Sequence, residues 1–118
     1  LDEIVELLVA HEADVNRVND LGHSFLCIAC ENGYTDLAKL FLKNGAHVNV
    51  RDHHGNSPLH IVTLKLEDQS TLRSIMKLLI TYGADVNIVN EFGHSPLHYA
   101  CAIGNICISK LLLQNGAD

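Results

Sequence analysis

The tetrapeptide Ser57-Pro58-Leu59-His60 occurs a second time, at residues 95–98. Each occurrence is followed, a few tens of residues later, by the tripeptide Gly-Ala-Asp, at residues 83–85 and 116–118. Motifs that return in the same order at a fixed spacing are the sequence signature of a repeat protein. The sequence therefore predicts an array of stacked units and not a single globular core.

Glycines at equivalent positions measure the length of the unit. Gly22 and Gly55 are 33 residues apart (55 − 22), whereas Gly55 and Gly93 are 38 apart (93 − 55). The unit is thus 33 residues long, with five extra residues in one copy. We assign the second half of copy one to residues 1–18, copy two to 19–51, copy three with the insertion to 52–89, and a truncated copy four to 90–118.

These submotifs resemble the ankyrin repeat, whose pattern is roughly D-x-x-G-x-T-P-L-H-x-A-A, a helical linker and a leucine run ending in G-A-D-V-N. The resemblance covers essentially the whole chain, residues 1–118. It implies an all-α fold, an ankyrin-repeat solenoid of stacked helix-turn-helix units with short β-turn fingers. Such a unit cannot bury its apolar face alone, so neighbouring copies must stack.

The two ends of the chain carry incomplete copies. The first residue is Leu1, and copies one and four are cut. We therefore expect a fragment of a longer array. Its cut ends would expose apolar helix faces, through which self-association is expected.

Copy four shows how each unit is built. Ser95 stands at the helix N-cap, and the following proline suits the first helical position because its missing N–H has no partner there. The pattern predicts a first helix over residues 96–103, stopped by Gly104, and a second over 106–114. Gly116 occupies the place of a left-handed C-cap.

Three copies depart from this pattern. Copy two has Phe25 for proline and Cys27 for histidine, which predicts a softer first helix. In copy three, Leu66 replaces the helix-stopping glycine, so we expect a longer first helix and then a polar excursion at Glu67–Thr71. That insertion is either a tolerated surface loop or a specificity element. In copy one, Glu12 replaces the C-cap glycine, which predicts fraying.

The net charge and the cysteine content limit the classes of function that the sequence supports. The formal net charge is −6, which argues against nucleic acid, because phosphate binding needs a basic stripe. No apolar run is long enough to span a bilayer, and no secretory leader is recognised, so we expect no membrane partner. Four cysteines without a leader suggest reduced thiols in the cytoplasm or nucleus.

The cysteine and histidine residues invite a metal or catalytic interpretation, which the repeat register weakens. Cys27 and Cys30 have half of a zinc motif, but Cys30 and Cys101 occupy the same repeat position and are expected in the core. His60 and His98 belong to the tetrapeptide, where the resemblance implies hydrogen bonds across turns. No phosphate loop or catalytic motif is present, so we expect no enzyme, no cofactor and no metal.

The family typically binds proteins through turn tips and the exposed face of the first helices, so the resemblance implies a protein-interaction module. Leu21, Phe92 and Ile103 are apolar where solvent is expected, which makes them anchors or residues packed on a neighbouring turn. His53 and His54 share one turn, where they contact a partner or sense pH. The positions carried over as partner contacts are Asp20, Leu21, His23, Glu31, Asn32, Arg51, His53, His54, Asn56, Leu64, Lys65, Val89, Glu91, Phe92, His94, Ala102 and Ile103.

Two other functions remain open. The chain is alternatively a structural spacer that only continues a longer ankyrin array. The contexts of Leu8 with Asp14-Val15-Asn16, and of Leu79 with Asp85-Val86-Asn87, resemble those in which ankyrin asparagines are hydroxylated. Asn16 and Asn87 are therefore predicted substrates of hydroxylation.

Overall fold

Three helix pairs stack along the chain. The computed structural model describes residue 3 and residues 14–118, and the stretch 14–118 contains six α-helices. They are α1 (Phe25–Glu31), α2 (Thr35–Lys43), α3 (Pro58–Lys65), α4 (Gln69–Thr81), α5 (Pro96–Ile103) and α6 (Ile106–Gln114). Copies two, three and four contribute one pair each, which confirms the predicted all-α solenoid. The predictions that involve Leu8 and Glu12 lie outside the described residues.

The helix bounds predicted for copy four are confirmed at both helices. The Oγ of Ser95 accepts a hydrogen bond from the His98 N–H, and Gly104 and Gly116 have left-handed φ angles of 79° and 94°. In copy two, Ser24 caps α1 by accepting from the Cys27 N–H at 3.2 Å. The serine cap therefore operates without the proline that follows it in the other copies.

The apolar core lies between two layers of helices. The first helices α1, α3 and α5 pack side by side, while α2 packs against α4 in the second layer. Leu59 of the first layer and Ile75, Met76 and Leu79 of the second are at most 1% exposed. Each copy thus buries its apolar residues against its neighbour, as a solenoid requires.

The structure around the insertion in copy three contradicts the predicted length of the first helix. Helix α3 has eight residues, as α5 does, so the expected longer first helix is wrong. Instead, α4 has 13 residues, against nine in α2 and in α6. Asp68 is the physical reason, because its carboxylate accepts from the Thr71 N–H at 3.3 Å and hydroxyl at 2.6 Å. Gln69–Thr71 therefore form the first turn of α4, and only Glu67 and Asp68 remain of the predicted excursion.

Each turn finger is closed by the first residue of its copy. Asn19, Asp52 and Asn90 each accept two backbone N–H bonds through Oδ1, from the residues two and four positions later. In copy three these two bonds are 2.8 and 3.0 Å long. A side chain that bonds to its own turn fixes the loop without strand partners. The three fingers consequently share one backbone shape.

The cysteines divide into a buried and an exposed pair. Cys27 and Cys30 are buried, Cys101 and Cys107 are exposed, and all four are free. The prediction of a core position is thus right for Cys30, whose thiol pKa is raised by burial, and wrong for Cys101. Copy three covers this position in copy two, whereas copy four is the last in the sequence.

Candidate functional site

A groove of about 470 Å³ opens between the fingers of copies two and three and the ends of α1 and α3. Its lining brings together eight residues predicted to contact a partner: Leu21, His23, Glu31, His53, His54, Asn56, Leu64 and Lys65. Two further lining residues, Asp52 and Ile61, were not predicted. We call this surface the finger groove.

Close packing of two fingers places His53. A Cβ atom built on Gly22 would lie 2.6 Å from Cδ2 of the His53 ring and 3.0 Å from its backbone nitrogen. Only a glycine therefore leaves room for the ring beside the finger of copy two. The left-handed φ of 82° at Gly22 favours glycine for a second, independent reason.

Asp52 is the polar centre of the groove wall, although its side chain is only 5% exposed. Its Oδ1 accepts from the backbone of its own finger, and its Oδ2 lies 3.5 Å from Nε2 of His23 in the previous copy. This carboxylate is thus used within the fold. It links two fingers and orients the His23 ring.

His54 links the groove to copy four. Its Nδ1 lies 3.2 Å from Oε1 of Glu91, and both side chains are well exposed. The same two fingers are joined by their backbones, since the Glu91 N–H donates to the carbonyl of His54 at 3.0 Å. His54 is therefore held at the rim, with its Nε2 directed away from this contact.

The apolar part of the groove combines two exposed side chains with one buried side chain. Leu21 at the finger tip is 65% exposed and Leu64 on α3 is 42% exposed, while Ile61 between them in the lining is 5% exposed. Ile61 is one turn before Lys65 on α3. The same repeat position holds Ile28 in copy two and Tyr99 in copy four, so copies two and three do not differ there, and only the tyrosine of copy four marked the position as variable.

The finger of copy four forms a neighbouring aromatic cluster. Phe92 is 66% exposed, and its ring centroid is 6.3 Å from that of His94. His94 meets Tyr99 edge-on at 5.3 Å, and the Tyr99 hydroxyl accepts from Asn90 Nδ2 at 2.7 Å. The predicted anchor Phe92 therefore lies outside the groove lining, on the next finger along the same row.

Several predicted contacts are exposed but lie outside the groove lining. Ile103 is 61% exposed and lines a separate cavity of about 420 Å³ at the loop between α5 and α6. The remaining exposed positions are Asp20, Asn32, Arg51, Val89 and Ala102. For Leu21, Phe92 and Ile103, this exposure argues against packing on a neighbouring turn.

The predicted hydroxylation residues connect the loops of adjacent copies. Asn87 donates to the Gly116 carbonyl at 3.1 Å and accepts from the Asp118 N–H at 3.0 Å. Asn16 makes the same pair of bonds with Gly45 and His47. These amides thus have a structural role, and their hydroxylation stays a prediction.

His60 lies behind the finger groove and is completely buried. Its Nδ1 accepts from the Ser57 N–H at 3.1 Å, so Nε2 carries the proton of the neutral ring and donates to the His94 carbonyl at 2.8 Å. The predicted bond from this histidine to the next turn is confirmed. Burial lowers the pKa of His60 below its ordinary value.

That lowered pKa predicts a pH dependence of folding. Because the folded chain holds His60 neutral, the stabilisation is present above the ordinary histidine pKa and is lost as the pH falls through the lower folded value. We expect urea unfolding to show a larger stability loss between about pH 7.5 and about pH 5.5 in the wild type than in His60→Gln. Other histidines contribute equally to both proteins, so equal losses would contradict the prediction.

Within residue 3 and residues 14–118, no three His, Cys, Asp or Glu side chains are grouped so that they could hold a metal ion. In the same part of the chain, no helix has the length and apolar character needed to cross a membrane.

The fold and the repeated fingers define a class of protein. The family model for ankyrin repeats in three copies matches residues 1–73 and 68–118. Because these segments together cover the whole chain, the chain belongs to the ankyrin-repeat family. Ankyrin repeats are generally protein-interaction modules.

Individual relatives share only part of their length with this chain. Human protein phosphatase 1 regulatory subunit 27 is 46% identical over 60 residues, which are 51% of this chain and 39% of the relative. Mouse protein fem-1 homolog A-like is 41% identical over 54 residues, 46% of this chain and 8% of the relative. A putative ankyrin repeat protein of Rickettsia bellii is 41% identical over 51 residues, 43% of this chain and 21% of the relative.

Proposed function

We propose that the chain is a protein-interaction module that binds its partner through the finger groove and the adjoining finger of copy four. The observation that carries this proposal is the convergence of eight expected contact residues in one groove. Those residues come from two fingers and two helices that are distant in sequence. A scaffold that only stacks has no physical need for exposed leucines at this place.

The groove and the adjoining finger of copy four have the composition of a binding surface. Leu21, Leu64 and Phe92 are large apolar side chains in solvent, and they alternate with histidines and charged groups. Binding energy in protein interfaces is concentrated in a few such apolar and aromatic anchors inside a polar rim. A standard interface of roughly 800 Å² per partner extends beyond the groove, so the finger of copy four is expected to take part.

The family is typically non-enzymatic, and we propose binding without catalysis, cofactor or metal. A protein partner in the cytoplasm or nucleus is part of the same proposal, because it follows from the cysteine usage of the sequence. The alternative is a structural spacer without a partner of its own. The spacer predicts that no groove variant changes the interactions of the full-length protein.

Substitutions in the groove and in the finger of copy four test this proposal. A partner is first purified with the full-length protein, and its affinity is then measured for the double variant His53→Ala, His54→Ala and for Phe92→Ala. We expect each to weaken binding by about tenfold, equivalent to about 1.4 kcal/mol, because exposed anchors are lost without core damage.

The matched control is Lys77→Ala, an exposed change on α4 outside the groove lining. Far-UV circular dichroism and the melting temperature should stay near wild type in all of these variants. Unchanged affinity in both the double histidine variant and Phe92→Ala would overturn the proposed site and favour the spacer.

A further inference from the structure

We propose that the finger groove takes an acidic, extended segment of the partner, in which a carboxylate neighbours an apolar side chain, and that this binding strengthens as the pH falls from about 7.5 to about 6.0. The inference rests on the proposed function and names the chemistry of the partner. Its basis is the balance of donors, acceptors and charges at the groove.

The acceptors near the groove are mostly used within the fold. Both oxygens of Asp52 are engaged, by two N–H groups of its own finger and by His23. Glu91 faces His54 from copy four. Glu31, at the end of α1, is the remaining carboxylate of the lining. The groove therefore offers a ligand few acceptors.

Donors are better represented at the rim. Lys65 ends α3 and is exposed, and the exposed His53 ring stands beside Gly22. With Nδ1–H directed to Glu91, Nε2 of the neutral His54 ring is an acceptor, and it becomes a donor to a ligand only when the ring is protonated. Ligand atoms that satisfy such donors are acceptors, and a carboxylate forms the stronger, charge-assisted bonds with them.

The formal charge of the lining changes sign with pH. With neutral histidines, Lys65 opposes Glu31 and Asp52, which gives +1 − 2 = −1; with His23, His53 and His54 protonated the sum is −1 + 3 = +2. Beyond the lining, Glu91 faces His54, Asp20 precedes Leu21 and Arg51 precedes Asp52, which adds −2 + 1 = −1 and still leaves a change of sign, from −2 to +1. Histidine side chains change charge between about pH 5 and 8, so an acidic ligand is favoured on the acid side of neutrality.

The apolar lining indicates that the ligand also carries an apolar side chain. Leu21 is on the finger of copy two and Leu64 is on α3, and Ile61 lines the surface between these two side chains. An apolar side chain placed here is adjacent to the histidines of the finger of copy three. The groove thus fits a segment that presents an apolar group and a carboxylate next to each other.

The probes are three synthetic ten-residue peptides that share two leucines and differ at four positions, which carry glutamate, glutamine or lysine. Each is titrated into the uniformly ¹⁵N-labelled chain at about pH 7.5 and about pH 6.0, and glutamate stays mostly ionised at both values. We expect the Kd of the glutamate peptide to fall at least about threefold on acidification, with amide shifts centred on Leu21, His53 and Lys65. The glutamine peptide should show no such change.

Two variants distinguish a pH effect of the groove histidines from one of histidines elsewhere in the chain. His53→Gln with His54→Gln should lower the ratio of the two Kd values toward one, because only His23 of the three lining histidines remains, whereas His47→Gln, an exposed histidine outside the lining, should keep it. The amide spectra report at each pH that every protein is folded. Binding that is independent of pH, a retained ratio in the double variant, or preference for the lysine peptide would overturn the inference.

Failure here differs from failure of the proposed function. Where the groove variants weaken binding of the purified partner but the glutamate peptide shows no pH effect, the site stands and only its acidic, pH-dependent ligand is wrong. Where the groove variants leave partner affinity unchanged, the proposed function fails as well.

Discussion

Replacement of His60 by alanine is expected to lower the free energy of unfolding by about 3 kcal/mol. The change removes a completely buried ring, leaves the buried Ser57 N–H without its partner, and removes one of the two bonds to the His94 carbonyl, which still accepts from the Asn90 N–H at 3.0 Å. The ring also meets Tyr99 edge-on at 6.1 Å. The cost combines a cavity, one unsatisfied buried N–H and a lost bond between neighbouring copies, which is why it exceeds that of one ordinary hydrogen bond.

His98 provides the matched control for this variant. It makes the same local contacts, to the Ser95 N–H at 3.0 Å and to Oγ at 2.9 Å, but it is exposed. We expect His98→Ala to cost about 1 kcal/mol, the usual value of a helix cap. Urea unfolding of both variants measures the difference, and equal costs would show that the bond from His60 to the next finger contributes little.

Gly55→Ala is expected to lower the free energy of unfolding by about 3 kcal/mol. Gly55 has a left-handed φ of 78°, and a Cβ built there would lie 3.0 Å from the Glu91 nitrogen and 3.2 Å from the Asn90 Cα. These are backbone atoms of the next finger, so they cannot rotate away as a flexible side chain would. The variant should also weaken partner binding, because the shifted finger carries Glu91 and Phe92.

Gly93 is the control that separates the cost of a left-handed backbone from the cost of steric overlap with the next finger. It has a similar φ of 76°, but a Cβ built there meets nothing within 4 Å. Gly93→Ala is therefore expected to cost about 1 kcal/mol, the conformational part alone. Thermal and urea unfolding of Gly55→Ala and Gly93→Ala test whether the fingers of copies three and four are closely packed. Equal losses in the free energy of unfolding would mean that the two fingers move apart freely.

The helices of copy four were predictable because every local signal agreed. Ser95 and Pro96 start α5, Gly104 ends it, and Gly116 ends α6, so caps and apolar periodicity pointed to the same bounds. The insertion in copy three lacked this agreement. Loss of the glycine at Leu66 indicated a continued first helix, while the Asp68 cap, one of several polar residues in the insertion, started the second helix early.

The candidate site was partly predictable for a different reason. Turn positions such as Leu21, His53 and His54 follow directly from the repeat register, which places them at finger tips. The roles of Asp52 and Gly22 depend on how two fingers nest, and that distance is not encoded at a fixed sequence spacing. Ile61 was overlooked because an apolar residue within a first helix is usually assigned to the core.

Cross-link mapping tests the central claim, binding through the finger groove, most directly. A photoreactive phenylalanine analogue replaces Leu21, Leu64 or Lys77 in the full-length protein, which is then irradiated with its purified partner. We predict covalent adducts from the positions of Leu21 and Leu64 and none from Lys77 on α4. Adducts from Lys77 alone, or equal yields from all three positions, would contradict binding through the groove.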